Sequence, residues 1–232
     1  MAKVLKEYPS VALCLENLQT KIDFAQVFGP PPARGQACPC ESRGAGPLHI
    51  EVGTGKATFL LSQAKAQPDV DFLGIERAKK FYRYAVDRIG RSGLTNVRIV
   101  RTDAAAFLAD FVPDASVDCF HIYFPDPWPK SRHHKRRFLN EVNLQQLLRC
   151  LKPAGRLRIA TDDGDYFDQI QRLIAAQAER LEVIEFLPAA GAEEGELTGT
   201  NYERKYIKDQ RQIYTLAVRK ADKDHSAICQ GA

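Results

Sequence analysis

The chain lacks any apolar run near the roughly 18 residues that a membrane-spanning helix requires, so a membrane partner is not expected. Its first residues, Met1-Ala2-Lys3-Val4-Leu5-Lys6-Glu7, carry charge where a secretory leader has an apolar stretch, and a cytoplasmic protein is expected. Cysteine is sparse and scattered. The six, at 14, 38, 40, 119, 150 and 229, form no disulfide framework. Cys119 and Cys150 stand among apolar neighbours, as small core residues do. Cys38-Pro39-Cys40 has no second pair at zinc-ligand spacing, so no metal is expected, and residues 30–47 receive no function. Net charge is also small, +4 from 33 basic and 29 acidic residues. A nucleic-acid face must therefore come from local clustering, not bulk charge. No internal repeat is visible.

What is present is enough for one core. A chain of 232 residues, 44% of them apolar, has the size and composition of a single α/β domain. Gly29-Pro30-Pro31-Pro32 and Gly44-Ala45-Gly46-Pro47 bracket an irregular stretch. The expected division is an N-terminal arm and Pro/Gly-rich segment over 1–47, a domain over 48–220 and a frayed, disordered tail over 221–232. Within the domain, short apolar runs predict strands at 48–52, 71–76, 96–101, 117–124 and 155–161. Longer periodic stretches predict helices at roughly 56–67, 78–91, 104–110, 136–151 and 163–178. Such alternation makes a mostly parallel sheet covered by helices on both faces. Two further strands, 181–187 and 212–218, bring the expected number to seven, the last of them antiparallel.

Open sheets of this kind bind ligands at the carboxyl ends of their strands, and the chemistry collects there. Gly53-Thr54-Gly55-Lys56-Ala57 follows the first strand, where Gly53 and Gly55 allow a cofactor to approach the backbone. A dinucleotide fingerprint needs Gly at 58, and the residue is Thr58. Glu51 would repel a diphosphate, yet it suits the sulfonium and amino groups of S-adenosylmethionine. Glu76 ends the second strand and can accept from ribose hydroxyls. Asp103 follows the third and can accept from an adenine amino group, with Ala104 as a backbone donor. Each acid alone also reads as a helix cap; three of them at three consecutive strand ends favour a site.

The fourth strand delivers Phe124-Pro125-Asp126-Pro127-Trp128-Pro129-Lys130, a loop stiffened by three prolines. Asp126 suits guanine, whose N1–H and exocyclic amino group both donate, and Trp128 offers a stacking face or pocket wall. Next come Ser131, Arg132, His133, His134, Lys135, Arg136 and Arg137, whose crowded positive charge a phosphate backbone relieves. Neither histidine has partners that complete a metal site.

These segments, with Ala160-Thr161-Asp162 and Thr200-Asn201-Tyr202-Glu203, resemble the tRNA (guanine-N7)-methyltransferase family over about residues 48–219. The Pro-Asp-Pro-Trp loop with its basic sequel carries the specificity of the match; the glycine turn is generic. The resemblance implies a Rossmann-like class I fold and transfer of a methyl group from S-adenosylmethionine to a guanine of the tRNA variable loop. It implies cofactor contacts from Glu51, Glu76, Asp103 and Asp126, with Asp126 also catalytic. Lys130, Asp162, Thr200, Asn201, Tyr202 and Glu203 would meet the nucleotide, and Arg132 to Arg137 the RNA. Ala57, where the family often has Gly, is one departure. Two other readings remain: methylation of an exocyclic amino group, whose enzymes carry an Asn/Asp-Pro-Pro-aromatic loop, and an RNA-binding relative without catalysis. Monomer and homodimer are both open.

Overall fold

The computed structural model describes residues 5–16, 20–29 and 46–222. Cys38, Cys40, Cys229 and most of the Pro/Gly-rich segment and the tail lie outside them. In chain order the elements are β1 (Ala12–Leu13), α1 (Phe24–Phe28), β2 (Leu48–Val52), α2 (Thr58–Ala66), β3 (Asp71–Ile75), α3 (Lys79–Ser92), β4 (Val97–Val100) and α4 (Ala104–Phe111). They continue with β5 (Val117–Tyr123), a 3₁₀ turn (Ser131–Arg136), α5 (Glu141–Cys150), β6 (Leu151–Thr161) and α6 (Gly164–Ala175). The last are β7 (Leu181–Ile184), α7 (Asn201–Lys208) and β8 (Tyr214–Lys220).

Among the described residues the sheet has eight strands in the order β1-β4-β3-β2-β5-β6-β8-β7, not seven. The extra strand is β1, which pairs Ala12 with Ile99 and Leu13 with Val100. Two residues carry no periodicity, so nothing in the sequence marks them. Every pairing from β1 to β6 is parallel, and β8 runs antiparallel to both β6 and β7. The chain winds outward from β2 to β4 on one side and returns to β5 on the other. The strand order therefore reverses between β2 and β5, the place where such sheets bind ligands.

The reason for the layers lies in alternation. Ile50, Val52, Phe120, Ile122, Leu157 and Ile159 pack on one face with α4, α5 and α6. Phe59, Leu60, Ala85 and Ile89 of α2 and α3 cover the other. The described parts of the arm belong to this body: Val11, Ile22 and Phe24 are buried in it, and the Ile22 N–H donates to Phe111 O at 2.8 Å.

Two predicted bounds are corrected. The helix expected over 136–151 begins only at Glu141, because Asn140 caps it by accepting from the Asn143 N–H at 3.0 Å. The residues before it form the 3₁₀ turn instead. Strand β6 opens directly at Leu151, four residues before the predicted start at 155. The pairing jumps there from Val117↔Leu151 to Cys119↔Arg156, with Ala154 at φ 57°. No helix among the described residues is long and apolar enough to cross a membrane.

Candidate functional site

The turn after β2 is left-handed at Gly53 (φ 84°), Gly55 (φ 54°) and Ala57 (φ 54°). Ala57 is buried and holds that conformation against a cost of about 1–2 kcal/mol. Its neighbours explain how. The Gly53 and Thr54 N–H groups both donate to Ile75 O, at 2.9 and 3.1 Å, and the Gly55 N–H donates to Glu76 Oε2 at 2.8 Å. The other Glu76 oxygen accepts from the Ala78 N–H at 2.7 Å. Glu76 thus bridges the ends of β2 and β3, and its remaining lone pairs border the turn.

Glu51 sits at the mouth of the same turn with 4% of its surface exposed, and its Oε2 is buried without a hydrogen-bond partner. Burial, followed by the nearby Glu76 charge, pushes its carboxyl well above the ordinary carboxylate range, with Thr54 pulling partly the other way. An unpartnered buried acid of this kind fits a cationic ligand such as the amino group of S-adenosylmethionine. Asp103 fulfils the capping reading: its Oδ1 accepts from the Ala105 and Ala106 N–H groups at 3.0 and 3.3 Å. Its Oδ2 lies 3.9 Å from Arg77, on the rim of the crevice.

The loop after β5 carries a signal absent from its composition. Phe124 (φ 51°) and Trp128 (φ 46°), both bulky and non-glycine, occupy the left-handed region on either side of Asp126. Such strain persists only where surroundings over-determine it. The Phe124 N–H donates to Ala160 O at 2.7 Å and Arg137 Nε donates to Pro127 O at 2.8 Å, which fixes both arms of the loop. Asp126 projects exposed between them. The Trp128 ring is roofed by the Arg136 guanidinium at 4.9 Å and meets His133 edge-on at 5.8 Å, so it braces the basic turn.

Arg137 is a correction. Expected among the RNA contacts, it is 1% exposed, with Nη1 on Gln169 at 2.8 Å, Nη2 on Asp165 at 2.6 Å and its guanidinium over Tyr166. It ties the loop to α6. Arg132, Lys135 and Arg136 are exposed, His133 and His134 half-buried, and His134 Nε2 lies 3.6 Å from Asp165.

The segment 200–203 divides between framework and surface. Thr200 caps α7 by accepting from the Glu203 N–H at 3.1 Å. Glu203 is buried, and its carboxylate accepts from the N–H groups of Leu197, Thr198 and Gly199 and from the Thr198 hydroxyl. Both therefore shape the loop rather than face a ligand directly. Asn201 Nδ2 donates to Thr58 Oγ1 at 2.7 Å and joins α7 to α2. Tyr202 is 53% exposed and stands 6.2 Å from Phe124. Asp162 accepts from Arg211 at 2.9 Å, and Arg211 lies over Tyr206, whose ring meets Phe124 at 5.3 Å. Tyr206 and Arg211 have no motif that marks them in sequence. Lys130, at the start of the basic turn, is exposed.

The structure therefore gathers Glu51, Gly53, Gly55, Glu76, Asp103 and Ala104 at the ends of β2, β3 and β4. The ends of β5 and β6 carry Asp126, Lys130 and Asp162, with Tyr202 beside them. Among the described residues one further cluster has ligand-like spacing, His49, Cys119 and His121. Its histidines are tied into a hydrogen-bonded chain: His121 bonds Tyr123 Oη at 2.9 Å and His49 at 3.2 Å, and Arg158 Nε donates to Tyr123 Oη. Burial lowers His49 to about 4 and raises the Cys119 thiol to about 12.

A family profile described as putative methyltransferase matches residues 45–216. The tRNA (guanine-N(7)-)-methyltransferase of Streptococcus thermophilus strain CNRZ 1066 is 33% identical over 176 residues, 76% of this chain and 82% of its own. Among solved structures, the aminoglycoside resistance methyltransferase NpmB1 superposes with a TM-score of 0.54 at 19% identity, covering 75% of this chain and 87% of that one. A SAM dependent methyltransferase from Aquifex aeolicus gives 0.50 at 15%, over 76% and 84%. At those identities the likeness is one of fold, and the fold is the Rossmann-like class I methyltransferase sheet.

Proposed function

The chain belongs to the tRNA (guanine-N7)-methyltransferase family, and on that premise we propose how its residues share the transfer of a methyl group from S-adenosylmethionine to N7 of a guanine in the tRNA variable loop. The observation that carries this reading is the pairing of two features at the switch point: a buried acid oxygen without a partner and, beyond it, a strained loop that projects Asp126. The reaction belongs to the cytoplasm in this reading.

Glu51 would take the amino cation of the cofactor, Glu76 the ribose hydroxyls, and Asp103 with the Ala104 N–H the adenine, while Gly53 and Gly55 leave room against the backbone. Bound S-adenosylmethionine supplies an electrophilic methyl group on a sulfonium. Guanine N7 is unprotonated at neutral pH, so no residue has to act as a base before attack. The chain's task is to hold N7 within about 3–3.5 Å of the methyl and on its axis. Asp126 stabilises the cationic ring that forms, and its proline-fixed backbone needs no reorganisation as charge develops. Tyr202 lends a ring face to the base, Asp162 and Lys130 its polar contacts, and Thr200 and Glu203 keep that wall in place. N7 lies on the major-groove edge of guanine, and turning the base out of its stack would carry that edge into the crevice.

Asp126→Ala is expected to lower methylation by about 10²-fold or more, the loss typical of one electrostatic group. Cofactor affinity should fall far less, and wild-type turnover on native tRNA would remove Asp126 from the chemistry. Labelled S-adenosylmethionine with unmodified tRNA, followed by nucleoside identification and mapping, should give 7-methylguanosine in the variable loop. Methylation of an exocyclic amino group would overturn the reading.

A further inference from the structure

Helix α3 carries a charge pattern that the methyl-transfer site does not use. From residue 77 to 91 the cations are Arg77, Lys79, Lys80, Arg83, Arg88 and Arg91, against the acid Asp87. Asp87 is buried and accepts from the Lys6 N–H at 2.9 Å and from Arg91 Nε at 3.0 Å. Arg88 turns inward to Lys56 O and Thr58 Oγ1, and Arg77 faces Asp103. Lys79, Lys80 and Arg83 remain exposed, and among the described residues no ion pair holds them. Arg83 stands four residues after Lys79 and three after Lys80, so it is a helix-surface neighbour of each.

Helix stability does not explain these three residues. The first turn of α3 has no acidic residue, and Ala78 at the cap makes no side-chain hydrogen bond. Cations there oppose the positive end of the helix dipole and repel one another. Lys79 and Lys80 even follow the crevice acid Glu76 without pairing to it. A polyanion resting on this face would offset all of these penalties together.

The location fits. The α3 face lies on the β3 side of the glycine turn, and the basic turn Ser131–Arg136 lies beyond β5. Only β2 separates β3 from β5, so the strands that lead into the two basic surfaces stand about 10 Å apart, on either side of the crevice. We propose that Lys79, Lys80 and Arg83 form a second phosphate-binding surface for the same tRNA, gripping the backbone on the far side of the target base. The inference rests on the tRNA reading above. The chemistry is that of separate, flexible charges on phosphates, so it adds affinity and orientation but no base preference.

The test is the triple variant Lys79→Gln/Lys80→Gln/Arg83→Gln in the full chain, with tRNA affinity measured from 50 to 200 mM salt, a cofactor titration and a melting curve. Each lost phosphate contact reduces the slope of log K against log salt by about 0.7–0.9, so the slope should flatten by about 2. Affinity at low salt should drop about ten-fold or more while cofactor affinity stays the same. Tm should hold or rise, because the removed charges oppose the helix. An unchanged slope and affinity would overturn the proposal. So would a fall in Tm with loss of cofactor binding, which would assign the three cations to folding. Arg83→Gln alone, away from the helix start, should give a slope change of about one contact without disturbing the cap. A wild-type chain that fails to methylate tRNA defeats the underlying reading; a methylating wild type with an unaltered variant slope defeats only this surface.

Discussion

Glu51 meets two demands of opposite sign. Its carboxyl is buried beside Glu76, and burial raises it well above the ordinary value. The folded, ligand-free protein therefore holds a proton that the unfolded chain releases above about pH 4.3. Above that pH the unfolded chain binds fewer protons here than the folded one, so this group subtracts stability as pH rises, until the raised folded value is passed. A cationic ligand reverses the balance by favouring the charged form. Glu51→Gln should accordingly melt no lower than wild type at neutral pH without cofactor. It should also lose roughly ten-fold or more in cofactor affinity, the effect of a charge-assisted hydrogen bond worth about 1.5–3 kcal/mol. Wild-type affinity should rise with pH, and calorimetry in buffers of different ionisation enthalpy should register proton release on binding. Equal cofactor affinity in Glu51→Gln would show that the cation is held elsewhere.

Among the elements, what sequence reveals is what repeats locally. The runs ending at Val52, Ile75, Val100 and Tyr123 are apolar enough to be strands, and the acids in or just after their last residues fall at strand ends. The sheet and the place of its crevice were legible for that reason. Longer-range effects were not. A string of charges reads as one exposed face, yet Arg137 is drawn inside by Asp165 and Gln169, 28 and 32 residues further on. Glu203 reads as a ligand acid because its partners are backbone N–H groups, which no residue type announces. The left-handed φ at Phe124 and Trp128 is equally silent. Arg137 gives this difference a measurable form. Arg137→Ala removes a buried guanidinium from Pro127 O, Gln169 and Asp165, and should destabilise the chain by about 3 kcal/mol in urea titration. Methylation should fall as well, because the arm of the loop after Asp126 loses its tether. A surface-like change within about 0.5 kcal/mol would contradict the strut.

Over the whole molecule, a net charge of +4 conceals a division of labour. Acids gather at the crevice, Glu51 and Glu76 buried and Asp126 exposed at its mouth, where the proposed reading puts the cationic groups of the cofactor and the methylated ring. Bases gather on its rims, where the proposed reading puts the phosphates. The two sets respond differently to salt: exposed charges are screened over about 10 Å at 0.1 M, buried ones far less. Replacing Arg132, Lys135 and Arg136 together by Gln should therefore weaken tRNA binding and flatten its salt dependence by about 2 in log–log slope, while cofactor affinity barely moves. Arg136 also roofs Trp128, so its removal loosens the loop beside Asp126. The double variant Arg132→Gln/Lys135→Gln separates the effects, since it spares the Arg136 contact with Trp128. If the double variant flattens the slope at unchanged turnover on saturating tRNA, the turn acts by holding phosphate. A slope equal to wild type in the triple variant would take the basic turn out of the RNA footprint.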